Sequence, residues 1–369
     1  MHRILHVVGR MNRAGAETML MNLYRKLDRN KFQFDFLYFT NEHCDYDDEI
    51  LDLGGRIFRI PGDKYKNPIT RTWATYKLFK KEKTFYAIQC HQMFSNALHL
   101  MAGYYGGITM RIAHSHNTSD ANSNKLIGKI YHTISKRLIS SYATHFIACG
   151  ENAGKFLFPK NDNVTFLPNA IDLNTFINED ETEKQIVFKN KNLNKDSVVI
   201  TQIGRLSEVK NHVFTLKLAE YLKLKNYNFH LAIVGSGHLE HQLKTLTKEL
   251  KLENHVTFCG VRNDIDVILK NSSLMLMPSL FEGFPVVLVE SQACGTPALI
   301  SSNISPEVDL EMGLIEFCRL EDDLEAWFNS IKNILNKPSV EATVREQVLS
   351  EKGFNINLSV KKLELFYGK

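Results

Sequence analysis

No Cys-x-x-Cys pair occurs among the six cysteines, Cys44, Cys90, Cys149, Cys259, Cys294 and Cys318. Scattered in or beside apolar runs, they read as small buried core residues in a reducing compartment, not as disulfides or zinc ligands. No apolar stretch is long enough to span a bilayer. The N-terminal M-H-R-I-L-H-V-V-G-R has too short an apolar run for a signal peptide and reads as a first strand. A cytoplasmic protein is expected. Low-complexity tracts are also missing, as are a His-Glu-x-x-His helix, a phosphate loop ending in Gly-Lys-Ser/Thr and a Gly-x-Ser-x-Gly elbow. Three common routes to hydrolase and NTPase chemistry are thereby excluded. Asp45-Tyr46-Asp47 matches a short acidic pattern that can hold a metal in sugar transferases. A further acidic residue and an apolar helix follow it, so a helix N-terminal cluster is the expectation there.

What is present is an ordinary globular composition, 44% hydrophobic and 23% charged, over 369 residues. That length exceeds what one core fills, so two domains are expected. The net charge of +4 hides an asymmetry. Residues 1–170 hold 23 Lys and Arg against 14 Asp and Glu, leaving the remainder acidic. A basic half points to a polyanionic partner, an anionic membrane surface, or merely a solvated face.

Short β-rich runs alternate with amphipathic stretches, as in βαβ units. Strands are expected over 3–8, 33–39, 56–60, 86–90, 110–115, 144–149 and 163–167. Helices are expected over 15–27, 47–53, 69–81, 94–105, 122–141 and 151–158. A polar Lys/Asn/Glu-rich segment then interrupts the rhythm. Strands resume over 197–204, 228–234, 255–259, 273–277, 298–301 and 314–318, with helices over 211–224, 239–250, 263–270, 321–335 and 357–366. The expected organisation is a first Rossmann-like domain over 1–170, a linker over 171–195, a second Rossmann-like domain over 196–350, and a C-terminal helix over 351–369 that packs back on the first domain. The fold class is α/β, two doubly wound domains facing each other across a cleft.

The densest signal is P-S-L-F-E-G-F-P-V-V-L-V-E-S-Q-A-C-G-T-P over 278–297. An apolar strand precedes it, Gly283 and Pro285 mark a tight turn, and Pro285 suits the first position of a largely apolar helix. Such strand–turn–helix junctions present backbone N–H groups to an anion. Glu282 and Glu290 bracket the turn. One isolated Glu in a helix belongs on a solvated face; two around an anion-ready turn are a site candidate. Other strand ends in the same half repeat the geometry. Gly204 is followed by Arg205 and Lys210, cations able to converge on a diphosphate, or simply exposed loop charges. Gly235 and Gly237 end another strand without the third Gly of a dinucleotide fingerprint, and Gly260-Val261 ends a further one, where backbone can approach a nucleotide base. In the first half, strand one runs into a basic loop at Gly15, Ala16 and Glu17. The strand over 110–115 ends in A-H-S-H, bringing His114 and His116 to one side. A lone histidine is more often structural than catalytic, and these two stand at even odds.

Two basic amphipathic stretches, 68–83 around Trp73, Tyr76 and Phe79, and 125–142 around Ile127, Ile130, Ile134 and Leu138, fit an interfacial membrane helix. Each fits the ordinary surface helix of a doubly wound domain somewhat better.

Together these motifs resemble the retaining glycosyltransferases of family 4, of the GT-B fold, over nearly the whole chain and in the family's order. Glu282 through Glu290 matches the E-x7-E signature, G-R-L-S-E-V-K-N the phosphate loop, P-N-A-I-D at 168–172 the interdomain strand end, and A-G-A-E at 14–17 the first glycine loop. Ala170 and Ala14 stand where glycine is usual. The resemblance implies that Arg205 and Lys210 bind the donor diphosphate and offset leaving-group charge. It implies that Glu290 accepts from ribose hydroxyls and that Glu282, with the backbone of Gly283, Phe284, Pro285 and Val286, faces the donor sugar. His116, or its neighbour His114, is implied near the sugar and acceptor, Gly15 and Ala16 in the first-domain loop, and Gly235, Gly260 and Val261 along the nucleotide. It further implies retention, no obligatory divalent metal and no cofactor. The implied donor is a UDP-sugar. The implied acceptor is lipid-linked or an oligosaccharide, in capsule, exopolysaccharide or O-antigen synthesis at the inner membrane face. A GT-B-fold nucleotide-sugar epimerase or hydrolase, and a non-catalytic nucleotide-sugar sensor, are the competing readings.

Overall fold

The computed structural model describes residues 1–13, 15–62, 64–65, 67–117, 126–161, 163–178, 187–188, 193 and 196–368, with backbone alone for Leu126 and Ile127. Ala14 and residues 122–125 of the expected helix over 122–141 lie outside them. The chain divides into two compact units, Met1–Ile171 with Gly353–Lys369, and Asp172–Lys352.

In the first unit, β1 (His2–Val7), β2 (Phe32–Tyr38), β3 (Ile57–Arg59), β4 (Phe85–Cys90), β5 (Met110–Ser115), β6 (His145–Ala148) and β7 (Val164–Phe166) form one sheet in the order β3-β2-β1-β4-β5-β6-β7. Every pairing is parallel. All seven residues of β2 are buried, as a parallel strand covered on both faces requires. Asp35 on that strand keeps its charge because Arg3 at 2.6 Å and Arg56 at 2.7 Å bind it.

The C-terminal helix Ile356–Tyr367 belongs to this unit. Ile356, Val360, Leu363 and Tyr367, spaced for one helical face, are buried in the core shared with Leu20, Tyr24 and Phe34. Its last turn is pinned by a polar contact: the Tyr367 hydroxyl donates to Gln89 Oε1 at 2.6 Å.

The second unit holds β8 (Val198–Ile203), β9 (Phe229–Val234), β10 (Val256–Gly260), β11 (Leu274–Met277), β12 (Ala298–Ser301) and β13 (Ile315–Cys318), ordered β10-β9-β8-β11-β12-β13 and again parallel throughout. Strand order reverses between β1 and β4 in one sheet and between β8 and β11 in the other. At such reversals successive crossovers leave to opposite sides, and a crevice opens beyond the carboxyl ends of the strands.

Several expectations change in detail. Pro285 is not the first helical residue: it is the N-cap, with ψ 105°, and the helix runs Val286–Cys294. Of the stretch read as a linker, 179–186, 189–192, 194 and 195 lie outside the described residues. The rest is structured: Leu173–Ile177 is a helix, and Val187, Phe188 and Leu193 are buried against β8 and β9 of the second unit. Ala342–Glu351 is a further helix without a sequence expectation, its apolar pattern being weak.

Candidate functional site

The loop after β8 descends through Gly204 and Leu206 into a short 3₁₀ turn, Glu208–Lys210, and then Asn211, whose φ of 55° turns the chain into the helix His212–Leu224. Neighbouring strand-end loops are stitched to it backbone to backbone. Leu206 N donates to Ser236 O at 2.9 Å and Gly235 N to Gly260 O at 2.8 Å. A Cβ on Gly235, where φ is 134°, would lie 2.1 Å from the carbonyl oxygen of Gly204. Only glycine permits that approach. The repeated glycines at strand ends therefore pack three loops into one floor, and the Gly260 edge of it is open, with Val261 exposed.

Across the strand reversal, the loop after β11 closes on the loop after β8. Leu280 N donates to Val209 O at 2.8 Å, and Asn211 Nδ2 to Pro278 O at 3.1 Å. These contacts place Lys210 Nζ 2.6 Å from Glu282 Oε1. Arg205, on the same loop as Lys210, is exposed and makes no side-chain ion pair among the described residues. Beyond Glu282, Gly283 has nothing near its Cα side, Phe284 and Val286 are half-buried, and no side chain caps the helix Val286–Cys294. Its first N–H groups are left for a ligand.

Glu290 lies one turn along this helix. It is not on a solvated face: burial, with a lesser push from Asp266, raises its carboxyl to about 7. No hydrogen bond to it occurs among the described residues. A half-buried, desolvated carboxylate without a donor is costly, and a ligand hydroxyl is the natural remedy.

The first unit brings a different set together. Gly15 opens the helix Gly15–Lys26 beyond β1, exposed and with open space around it, and Ala16 is half-buried beside it. His114 and His116 do share a side of the chain, their rings stacked 4.0 Å apart. Their situations differ, however. His114 is fully buried, and its Nδ1 meets Gln89 Nε2 at 2.9 Å. His116 stands past the strand end, half-buried.

Sequence reasoning missed His91, which follows β4 immediately. Its Nδ1 lies 2.8 Å from His116 Nε2, and its Nε2 lies 3.0 Å from His6 Nδ1. A histidine just past a strand adjacent to the one bearing His116 was the available signal, since both strands end on one edge of a parallel sheet. Nitrogens of His91, His114 and His116 lie within 4.8 Å of one another, a spacing that could hold a metal ion. Burial holds His116 down at about 4 and His6 at about 3, and pushes His91 and His114 well below the usual imidazole range. All four are neutral at pH 7. The acidic Asp45-Tyr46-Asp47 opens the helix Asp47–Asp52, and Asp47 is engaged by Arg59.

The chain matches the model described as Glycosyltransferase Family 4 over residues 13–175 and that described as Glycosyl transferases group 1 over residues 183–348. It is 36% identical to the putative glycosyltransferase EpsF of Bacillus subtilis, over 98% of this chain and 95% of that protein. It is 26% identical to the capsular polysaccharide biosynthesis glycosyltransferase CapH of Staphylococcus aureus, over 100% and 99% of the two chains. Among solved structures, Anabaena HepE in complex with UDP and glucose superposes with a TM-score of 0.79 over 100% of both chains, at 15% identity, a likeness of fold. With both halves and both sheets accounted for, the chain belongs to glycosyltransferase family 4 and has the GT-B fold.

Proposed function

We propose that the protein is a retaining, metal-independent hexosyltransferase of bacterial surface-polysaccharide synthesis. It moves a sugar from a nucleoside diphosphate-sugar, with UDP as the expected nucleotide, to a lipid-linked or oligosaccharide acceptor. The carrying observation is the joint at the β8/β11 reversal. There Lys210 on the loop after β8, and the uncapped helix Val286–Cys294 with the partnerless Glu290 after β11, offer a cation, backbone N–H groups and a hydroxyl acceptor on two adjoining strand-end segments. A nucleoside diphosphate needs those three partners: charge offset for phosphate, dipoles for its oxygens, and a carboxylate for ribose. In the reaction the bond from the anomeric carbon to the phosphate oxygen breaks and the acceptor oxygen takes its place. The diphosphate leaves with the electron pair, and Arg205, Lys210 and the helix N-terminus offset its charge. Glu282, with Gly283 and Phe284, orients the sugar, and His116 serves as the first-unit group meeting sugar and acceptor. Gly15 and Ala16 lend backbone there, and Gly235, Gly260 and Val261 line the nucleotide.

A lipid-linked acceptor finds support in one face of the first unit. Helices Pro68–Lys81, Asn96–Gly106 and Leu126–Tyr142 pack side by side. They leave Ile69, Trp73, Tyr105, Ile130 and Ile134 more than half exposed, the reverse of an ordinary surface helix, which buries such residues. A cavity of about 420 Å³ lined by Ile69, Trp73, Tyr76, Leu98, Met101 and Tyr105 opens on this face. Lys77 lies 3.5 Å over the Trp73 ring and Lys80 5.8 Å over Tyr76. Aromatic residues with adjacent cations suit an anionic membrane surface. Among the described residues no helix is long and apolar enough to cross a membrane; the placement proposed from this face is peripheral, on the cytoplasmic side.

The test is turnover. Purified protein is incubated with a panel of UDP-sugars and polyprenyl-diphosphate-linked sugars, with and without EDTA, and the product's anomeric configuration is read by NMR. Transfer with retention, unaffected by EDTA and absent from folded Lys210→Ala and Glu290→Ala variants, is expected. Turnover without an acceptor would move the assignment to a hydrolase or epimerase. UDP-sugar binding without turnover would make it a sensor.

A further inference from the structure

Strand register brings three histidines together at the carboxyl edge of the first sheet. Cys90 on β4 faces Ala113 on β5, so His91, the next residue, comes beside His114. Alternation along β5 then turns His114 and His116 to one side. One ring nitrogen from each of the three lies within 4.8 Å of the others. His91 Nδ1 and His116 Nε2 meet at 2.8 Å. His114 is fully buried, and its Nε2 has no hydrogen-bond partner. A hydrogen bond explains the first contact and leaves the His114 atom unexplained; a shared cation accounts for both. Two of the rings are already held by their other nitrogen. His91 Nε2 meets His6 Nδ1 at 3.0 Å, and His114 Nδ1 meets the Gln89 amide at 2.9 Å, whose oxygen accepts from Tyr367. Outer partners of that kind orient imidazole ligands toward a metal.

We propose that His91, His114 and His116 bind a zinc ion, and that zinc held there inhibits the enzyme by withdrawing His116 from the substrate. An imidazole-only ligand set suits zinc and its transition-metal neighbours; magnesium takes oxygen ligands. Zinc holds nitrogens at about 2.0–2.1 Å, so in a tetrahedron they stand roughly 3.3 Å apart. The 2.8 Å contact and the 4.8 Å outer limit bracket that spacing, and modest ring rotations reach it. His91 and His116 are half-buried, with His116 past the strand end, so the ion enters from the sheet edge. Three protein ligands leave a fourth position for water. With its Nε2 on the ion and its ring fixed, His116 no longer meets sugar and acceptor. The inhibition rests on the glycosyl-transfer reading above; the zinc site does not. Transfer itself stays metal-independent, since the ion takes no part in it.

The experiment titrates EDTA-dialysed protein with zinc chloride by calorimetry and reads the ligand geometry from the visible absorption of the cobalt(II) complex. Expected are one equivalent of zinc, a four-coordinate cobalt spectrum and no binding of magnesium. Zinc binding is lost in His91→Phe, which keeps a ring without a ligand atom, and Gln89→Leu weakens it roughly 10- to 100-fold. X-ray absorption of the zinc-loaded, unaltered protein should show three imidazole nitrogens, and it decides the site even where a variant fails to fold. In turnover assays one equivalent of zinc inhibits transfer and EDTA restores the full rate. No binding overturns the site, and so does binding undiminished in folded His91→Phe, as an adventitious surface ion would give. Zinc bound at the three histidines with transfer unaltered overturns the inhibitory role. The binding measurements need no turnover, so a failed site is distinct from a failure to find glycosyl transfer.

Discussion

Lys210 Nζ lies 2.6 Å from Glu282 Oε1, and this ion pair joins the loop after β8 to the loop after β11 at the point where strand order reverses. Both partners are mostly buried, with side-chain exposures of 20% and 13%. In the ligand-free protein Glu282 therefore holds the cation that the proposed donor's diphosphate would take over.

The pair predicts unequal effects on nucleotide binding. Lys210→Ala removes a charge-assisted contact of about 1.5–3 kcal/mol, so UDP affinity by calorimetry falls roughly 10- to 100-fold. Glu282→Ala releases the cation, so UDP affinity holds or rises while sugar transfer falls. Equal losses in both variants would exclude competition between Glu282 and phosphate.

Glu290 predicts a stability cost that depends on pH. Its carboxyl is raised to about 7 in the folded protein, from an ordinary 4.5. The folded state then binds more protons than the unfolded one between those values, so stability falls as pH rises through that window. Glu290→Gln keeps the shape without the charge. It should raise the Tm at pH 8 and leave it nearly unchanged at pH 4, the gain being up to about 3 kcal/mol. The same variant should lose UDP-sugar binding. A destabilised variant at pH 8 would show that Glu290 is satisfied in the free protein.

The two tryptophans make the membrane face measurable. Trp73 is 54% exposed and Trp327 fully buried. Vesicles containing anionic lipid should shift the emission to the blue, and brominated acyl chains should quench it, with the change lost in Trp73→Phe. Ile69→Asn should weaken vesicle binding, and so should raised salt, which screens the adjacent lysines. Unchanged emission at low salt would count against insertion of this face.

The C-terminal helix predicts a stability effect far from it in sequence. Tyr367→Phe leaves Gln89 Oε1 without its donor in a fully buried position. Urea denaturation should show a loss of about 1–3 kcal/mol. Loss of the helical signal without any change in midpoint would mean that this end packs only weakly.

Local pattern carried most of the architecture. The expected strands over 110–115 and 298–301 coincide with β5 and β12, and the others fall within about a residue of the observed ends, because strands buried on both faces read as unbroken apolar runs. Gly295 was legible as the stop of its helix, where φ is 77°. Pro285 was misplaced by one position because proline fixes φ and leaves ψ free, and ψ decides between cap and first turn. The helix Ala342–Glu351 and the burial of Val187 and Phe188 escaped notice, since their partners are distant in sequence and their own periodicity is poor.

By itself the sequence determined the parallel α/β class, the glycine-rich strand ends, and the charged candidates Arg205, Lys210, Glu282 and Glu290. These depend on residues near one another in the chain, whose spacing dictates face and turn. Only the tertiary structure decided that Lys210 pairs with Glu282, that Glu290 is half-buried without a hydrogen-bond partner, that His114 is sealed while His116 is not, and that His91 and His6 stand behind it. Each of those facts is set by strand order and register, which bring together residues as much as 85 positions apart, as in the His6–His91 contact. Burial and hydrogen bonding at such distances are properties of the packed sheet, and no local pattern encodes them.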